Sequence, residues 1–229
     1  MSKRRGSSPT ALSLSSELSQ TAKRIRQSEL PPLPSSVGLV VVANRRTKSE
    51  TLQRKYPGSA VIDVTAKGPM PWRKFSPFYP HGDIPVPTQP SQKGMSVEGI
   101  WQGLKCFEKE GVDVSKLTKT DMKDMKRGKS LRRGKVLGHA QRCTASTPSS
   151  SPSDHLLGYL QARKRIYLPA YLTLLERMKD EVQELKALRE KSGLILLDYN
   201  TNEDIENCQK PLSHAGLIKL YIEDGYPKV

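Results

Sequence analysis

Aromatic residues are scarce in this chain, 6% of 229 positions, with only two tryptophans and three phenylalanines. A ring-rich stretch therefore needs a local reason. No apolar run approaches the roughly 20 residues that a membrane-spanning helix requires, which excludes an integral membrane role for a helical segment, and the amino terminus lacks the continuous apolar core of a secretory signal. Cysteines number three, at 106, 143 and 208. Their odd count and wide separation exclude a disulfide framework and the paired spacings of zinc sites, so no metal and no cofactor is expected. The expectation is an intracellular protein, cytoplasmic or nuclear, although a leader rich in Ser and Arg and poor in acids keeps mitochondrial targeting open. Acidic residues are also few, 23 against 38 Lys and Arg, for a formal net charge of +15. The basic excess is concentrated before about residue 30 and again between 119 and 142, which places any attraction for polyanions such as RNA in tails and loops.

Residues 1–37 combine SKRRGSS, a second basic cluster at 23–26 and the Pro-rich PPLPSS. Such a segment cannot bury enough apolar surface to offset chain entropy and is expected to be a disordered leader. The remainder, 38–229, is expected to form one domain with a flexible basic and Ser-rich insertion at about 127–153. GLVVVA at 38–43 and AVIDV at 60–64 read as buried strands flanking a short helix, a parallel βαβ pattern. The many prolines and glycines of 65–94 predict a long ordered loop without regular structure. Further on, a helix is expected from Ser115 through Met125, and KRGKSLRRGKVLGHAQR reads as an exposed loop, either merely solvated or in contact with phosphates. Ser153 or Asp154 caps a helix that Pro169 ends or kinks, a second helix runs to about Glu190, Leu194 to Leu197 form a strand, and Ser213 begins a last helix. Tyr167 and Tyr171, four apart, are expected in the core or at a pocket. The fold class is α+β, or mixed α/β, with a small sheet of about three or more strands surrounded by helices.

Two stretches carry candidate chemistry. PWRKFSPFYP gathers Trp72, Phe75, Phe78 and Tyr79 with Arg73 and Lys74. These rings either plug the loop onto the core or form a stacking platform for a planar base, with a cation reaching a phosphate. In SVEGIWQGLK at 96–105, Ser96 suits an N-cap, and Glu98, Trp101, Gln102 and Lys105 then lie on one helix face, an acid, a ring, an amide and a cation in a row. Val97, Ile100 and Leu104 share an apolar face. Off the end of the predicted strand at 194–197, Asp198, Thr201, Asn202 and Asp204 are the candidates for a second acidic wall, since ligands in α/β folds lie off strand ends. Surface turn chemistry accounts for the same residues. His214 lies in the first turn of the last helix, with anion binding as its functional reading.

The pair FSPFYP and SVEGIWQGLK resembles the two leading motifs of the NADAR superfamily, an F-x-S-N-F-Y-P-like loop followed by an S-x-E-H-x-x-Q-x-x-K-like helix. Phe78, Tyr79 and Pro80 match the first; Ser96, Glu98, Gln102 and Lys105 match the second. From about Gly38 onward the chain also resembles an uncharacterised family of domains of unknown function placed near NADAR. The resemblance implies binding of a nucleotide or ADP-ribose-like ligand and, in some members, cleavage of an N-glycosidic bond, with Glu98 as catalytic carboxylate, Asp198 as the second acid and Phe78 and Tyr79 as pocket wall. The chain departs from the pattern at Pro77, where the motif has Asn, at Gly99, where it has His, and in lacking a C-terminal D-x-x-W-G. The alternative expectation is a non-enzymatic module that binds RNA or nucleoprotein through the leader and the basic loop.

Overall fold

A computed structural model describes residues 36–128, 130–142 and 156–228. The expected leader, apart from Ser36 and Val37, and the Ser-rich part of the insertion lie outside the described residues. Strand β1 (Val40–Asn44), helix α1 (Ser49–Lys55) and strand β2 (Ala60–Asp63) follow the anticipated order, but β1 and β2 do not pair with each other. Between them runs β8 (Leu194–Asp198), parallel to both, with Leu194 in register with Val40 on one side and Ala60 on the other. A central strand covered on both faces needs a continuous apolar run. LILL supplies it, and Leu194, Ile195 and Leu196 are buried.

The Pro-rich segment 65–94 holds more regular structure than its composition predicts. It contains a 3-10 turn (Trp72–Phe75) and an antiparallel hairpin, β3 (Ile84–Val86) with β4 (Gln89–Gly94). Pro85 and Pro90 are tolerated there because neither lies in the middle of a larger sheet. A third sheet, β5 (Lys105–Phe107), β6 (Val136–Ala140) and β7 (Leu156–Leu157), is antiparallel. Thus β6 is drawn from residues expected to form an exposed loop, and Leu156 and Leu157, expected in a helix, form β7.

Helix α2 (Val97–Leu104) is buried along its whole length. Ser96 caps it, its hydroxyl accepting from the Gly99 N–H at 3.0 Å. Its three faces have three uses. Val97, Ile100 and Leu104 enter the core with Phe75, Ile84 and Tyr171. Gly99 and Gly103 form a flat face against the 3-10 turn Val114–Lys116 and Leu117, and the third face carries Glu98 and Gln102. The close approach explains Gly99: a Cβ there would sit 2.6 Å from the Lys116 carbonyl oxygen and 3.2 Å from Met125 Cε, so no side chain fits without moving backbone.

The helix expected at 115–125 is not formed beyond that 3-10 turn. Asp121 accepts from the Lys123 N–H, and Asp124 adopts φ 48°, local arrangements that compete with helix. Just beyond, Arg127 is buried beneath the end of α2. Its guanidinium donates to the carbonyls of Gln102, Lys105 and Gly111 and lies 4.7 Å from the Phe107 ring centroid. The first arginine of the basic segment thus closes the C-terminus of α2, where carbonyls need donors.

After β7, α3 (Tyr159–Ala162) passes through a π turn (Arg163–Tyr167) into α4 (Leu168–Arg177). Pro169, which has no N–H to give, is accommodated by this widened turn. The long second helix anticipated to Glu190 breaks at Met178 (φ −107°, ψ 38°) before α5 (Lys179–Ser192). Tyr171 is fully buried and its hydroxyl donates to the Phe75 carbonyl at 2.8 Å, which pins the aromatic segment to α4. Helix α6 (His214–Ile222) begins at Ser213, whose hydroxyl accepts from the Gly216 N–H. No helix among the described residues is long and apolar enough to cross a membrane.

Because overpacking against rigid backbone destabilises by about 1–3 kcal/mol, Gly99→Ala is expected to lower the urea-unfolding free energy by about that amount. An unchanged denaturation midpoint would contradict the packing described for this face.

Candidate functional site

The polar face of α2 lines a cleft of about 500 Å³, a size suited to a small-molecule ligand. Residues 76–78 form one side, Tyr159, Arg163 and Tyr167 another, and Thr65 to Lys67 with Asp198 to Asn200 and His214 complete it. Of the residues singled out in the sequence, Glu98, Trp101, Gln102, Lys105, Phe78, Asp198, Tyr167 and His214 meet here.

Glu98 is 7% exposed, and its Oε1 accepts from Gln102 Nε2 at 2.8 Å. The orientation of that amide follows from its other contacts. Gln102 Oε1 accepts from the Arg127 backbone N–H at 2.9 Å and from Lys105 Nζ at 3.1 Å, and a backbone N–H can only donate. Gln102 must therefore present its NH₂ to Glu98. Oε1 is fixed as an acceptor, and a proton on Glu98 resides on Oε2, which has no protein donor among the described residues. Burial pushes the Glu98 carboxyl above its ordinary range; the Gln102 hydrogen bond and the charges of Lys126, Lys105 and His214 oppose this without cancelling it. Burial also lowers Lys105, against the opposing pull of Glu98.

Asp198 has a different environment. Its Oδ1 accepts from the Tyr199 N–H at 2.6 Å, while Oδ2 accepts from the Ser213 hydroxyl at 2.8 Å and His214 Nδ1 at 2.9 Å. His214 Nε2 lies 2.9 Å from the Val64 carbonyl, which can only accept, so both ring nitrogens are placed to donate and the ring is suited to be an imidazolium. Burial works against both charges. The mutual attraction, with the Ser213 and Tyr199 donors, still holds Asp198 below and His214 above the ordinary values. Asp198 is thereby saturated with donors, whereas Glu98 keeps one oxygen open. Nothing in the local sequence marks His214 as the partner of a carboxylate 16 positions upstream.

Trp101 is clamped. Its ring packs 3.8 Å from His139, centroid to centroid, and meets Tyr159 and Tyr167 edge-on at 5.7 Å each. Burial, reinforced by the charge of Lys105, pushes His139 down to about 3, so it packs as a neutral ring. Tyr159, Arg163 and Tyr167 were legible as a stripe at i, i+4 and i+8, yet only Tyr167 was singled out as a pocket candidate; Tyr171, its partner in that reading, is core.

Several candidates lie elsewhere. Phe75 is fully buried, and Trp72 stacks on it with centroids 6.3 Å apart, the plug reading of those rings. Arg73 donates to the Gly68 carbonyl, and Tyr79 packs edge-on against His81. Neither lines the cleft; of the four rings only Phe78 does, with Lys126 Nζ 5.5 Å above it. Asn202 donates to the carbonyls of Asp204, Asn207 and Lys210, and Asp204 closes a turn with the Glu206 N–H, so both shape the 201–210 loop outside the cleft lining. Part of the basic segment is likewise engaged internally. Besides buried Arg127, Arg132 and Arg133 pair with Glu110 at 3.0 and 2.9 Å. Among the described residues no group of three or more His, Cys, Asp or Glu could hold a metal ion.

A family model described as a family of unknown function (DUF6939) matches residues 44–218. No curated protein and no solved structure matches the chain.

The Asp198 and His214 shifts fix a pH dependence. His214 is raised, so its contribution to stability is complete below the ordinary 6.5 and is lost as pH rises through its folded value. Asp198 is lowered, so its contribution is complete above the ordinary 3.8 and is lost as pH falls through its folded value. Asp198→Asn is expected to lower stability by about 3 kcal/mol at pH 6, since it removes one partner of a buried pair, and to flatten the decline above neutrality. Denaturation midpoints from pH 4 to 9 check this.

Proposed function

We propose, for a chain that belongs to this family of unknown function, that the cleft binds a nucleotide or ADP-ribose-like ligand and that Glu98 acts on its N-glycosidic bond. One observation carries the reading: Glu98, Gln102, Lys105, Trp101 and Phe78 line one cleft, with one Glu98 oxygen fixed by Gln102 and the other without a protein donor among the described residues. The resemblance of residues 75–80 and 96–105 to the NADAR motifs supports the same assignment. It also accords with the Gly99 departure, since a residue packed against the Lys116 carbonyl faces away from the cleft and has no part in the chemistry.

The chemistry follows from the state of Glu98. A carboxyl raised by burial retains its proton at pH values where an exposed one has lost it. The proton on Oε2 passes to the leaving nitrogen as the C–N bond breaks, the bonding pair remaining on that nitrogen. Water captures the oxocarbenium carbon and returns a proton to the Glu98 carboxylate, so the products are a free base and a sugar hydroxyl. Trp101 and Phe78 offer apolar surface to the base, and Tyr167, whose phenol is held neutral by burial and the nearby Asp198, offers a hydroxyl. Asp198, saturated by its donors, positions the β8 end and α6 and takes no proton.

The test is release of free base from a panel of nucleoside monophosphates and ADP-ribosylated guanine nucleotides, followed by chromatography. Glu98→Gln is expected to reduce release at least about 100-fold while retaining binding, and Trp101→Ala to weaken binding by about 5- to 150-fold, the range for loss of a stacked base. Absence of both turnover and binding in the wild-type protein would overturn the reading.

A further inference from the structure

The ionisable groups lining the cleft do not balance. Asp198 and His214 are paired and cancel. Glu98 and Lys105, linked through Gln102, cancel when both are charged, and with Glu98 protonated the Lys105 ammonium adds to the positive excess. Among the described residues three cations remain, Lys67, Lys126 and Arg163, and no further carboxylate lines the cleft.

Arg163 is the decisive one. It is 2% exposed, and its guanidinium donates to the carbonyls of Ile205, Asn207 and Lys210 and to the Tyr159 hydroxyl, all uncharged, with no carboxylate at ion-pair distance among the described residues. Those carbonyls satisfy its donors and leave its full charge uncompensated in a medium that screens poorly. Lys67 and Lys126 are exposed at the rim, and neither has a carboxylate partner among the described residues. Lys126 Nζ is held over Phe78, close enough to Glu98 to act on its charge.

We infer that the cleft contains a phosphate subsite in which Lys67 and Lys126 contact the anion and buried Arg163 supplies the field that retains it. The inference rests on the nucleotide reading and deepens it by orienting the ligand, with its phosphate toward the lysine rim and its base toward Trp101. Arg163 acts without contact, because its Nη groups are already occupied by the loop carbonyls.

The experiment is calorimetric titration of the full chain with uridine, cytidine, adenosine and guanosine, their 5′-monophosphates and inorganic pyrophosphate. The wild-type protein is compared with Lys67→Ala/Lys126→Ala. Both lysines are exposed, so the variant keeps its fold, which its melting temperature verifies. At least one monophosphate is expected to bind about tenfold or more tightly than its nucleoside, with that preference falling at least about fivefold in the variant, as loss of charge-assisted contacts requires. Equal affinity for nucleoside and monophosphate overturns the subsite and leaves base binding standing. A preference unchanged in the variant also overturns it, since the phosphate is then held elsewhere on this basic chain. Pyrophosphate binding that is lost in the variant, with no selectivity among nucleotides, supports the subsite and overturns the nucleotide reading. Binding of none of these compounds overturns the subsite together with the nucleotide form of the reading it rests on.

Discussion

Two donors converge on a single oxygen, Gln102 Oε1, and the chemistry proposed for the cleft depends on that convergence. The Arg127 N–H cannot accept, so the amide of Gln102 cannot turn over, and its NH₂ must face Glu98. Arg127 is itself held by the carbonyls at the end of α2 and beyond it. A residue 25 positions after Gln102 therefore determines which oxygen of Glu98 can carry a proton. The clamp also orders Lys105, whose ammonium completes the row from carboxyl to amide to cation.

Two carboxyl groups line the same cleft and are driven in opposite directions by their surroundings. Glu98 has one neutral donor and is dominated by burial; Asp198 has an imidazolium, a hydroxyl and a backbone N–H and stays ionised. In the proposed reaction, environments separated in this way divide the labour of the two acids, one reactive and one organising. What Asp198 organises is the junction of β8 with the first turn of α6, and through His214 it also secures the Val64 carbonyl just beyond β2. The parallel sheet and the cleft thus share one buried ion pair.

Local patterns revealed the parts of this arrangement that are local. Ser96 as a cap, the row Glu98, Gln102 and Lys105 on one helix face, and the β-branched or apolar runs of β1, β2 and β8 were all legible, because capping, helical spacing and strand burial are encoded within a few residues. The failures concern partners distant in sequence. Arg127 reads as one cation in a basic loop, and nothing nearby announces the carbonyls from 102, 105 and 111 that bury it. Phe75 and Phe78 are three apart in one ring-rich segment, yet one is core and the other cleft wall, a division made by Tyr171 nearly a hundred residues away. The hairpin at 84–94 was concealed by prolines that edge strands tolerate, and the helix expected at 115–125 yields to aspartate turns. Gly99 looked like a lost functional residue; its place against Lys116 makes it a packing residue.

In the reading proposed above, Glu98 is a carboxyl kept protonated above its ordinary range, with its proton directed away from Gln102. Difference infrared spectroscopy of the protonated carboxyl band, wild type minus Glu98→Gln across a pH series, isolates this one group among the 23 acidic residues of the chain. The expected Glu98 band survives above pH 4.5, the ordinary value for glutamate, and disappears only at higher pH. A Glu98 band that titrates at or below 4.5 would show an ionised, solvent-like carboxylate and would contradict the claim.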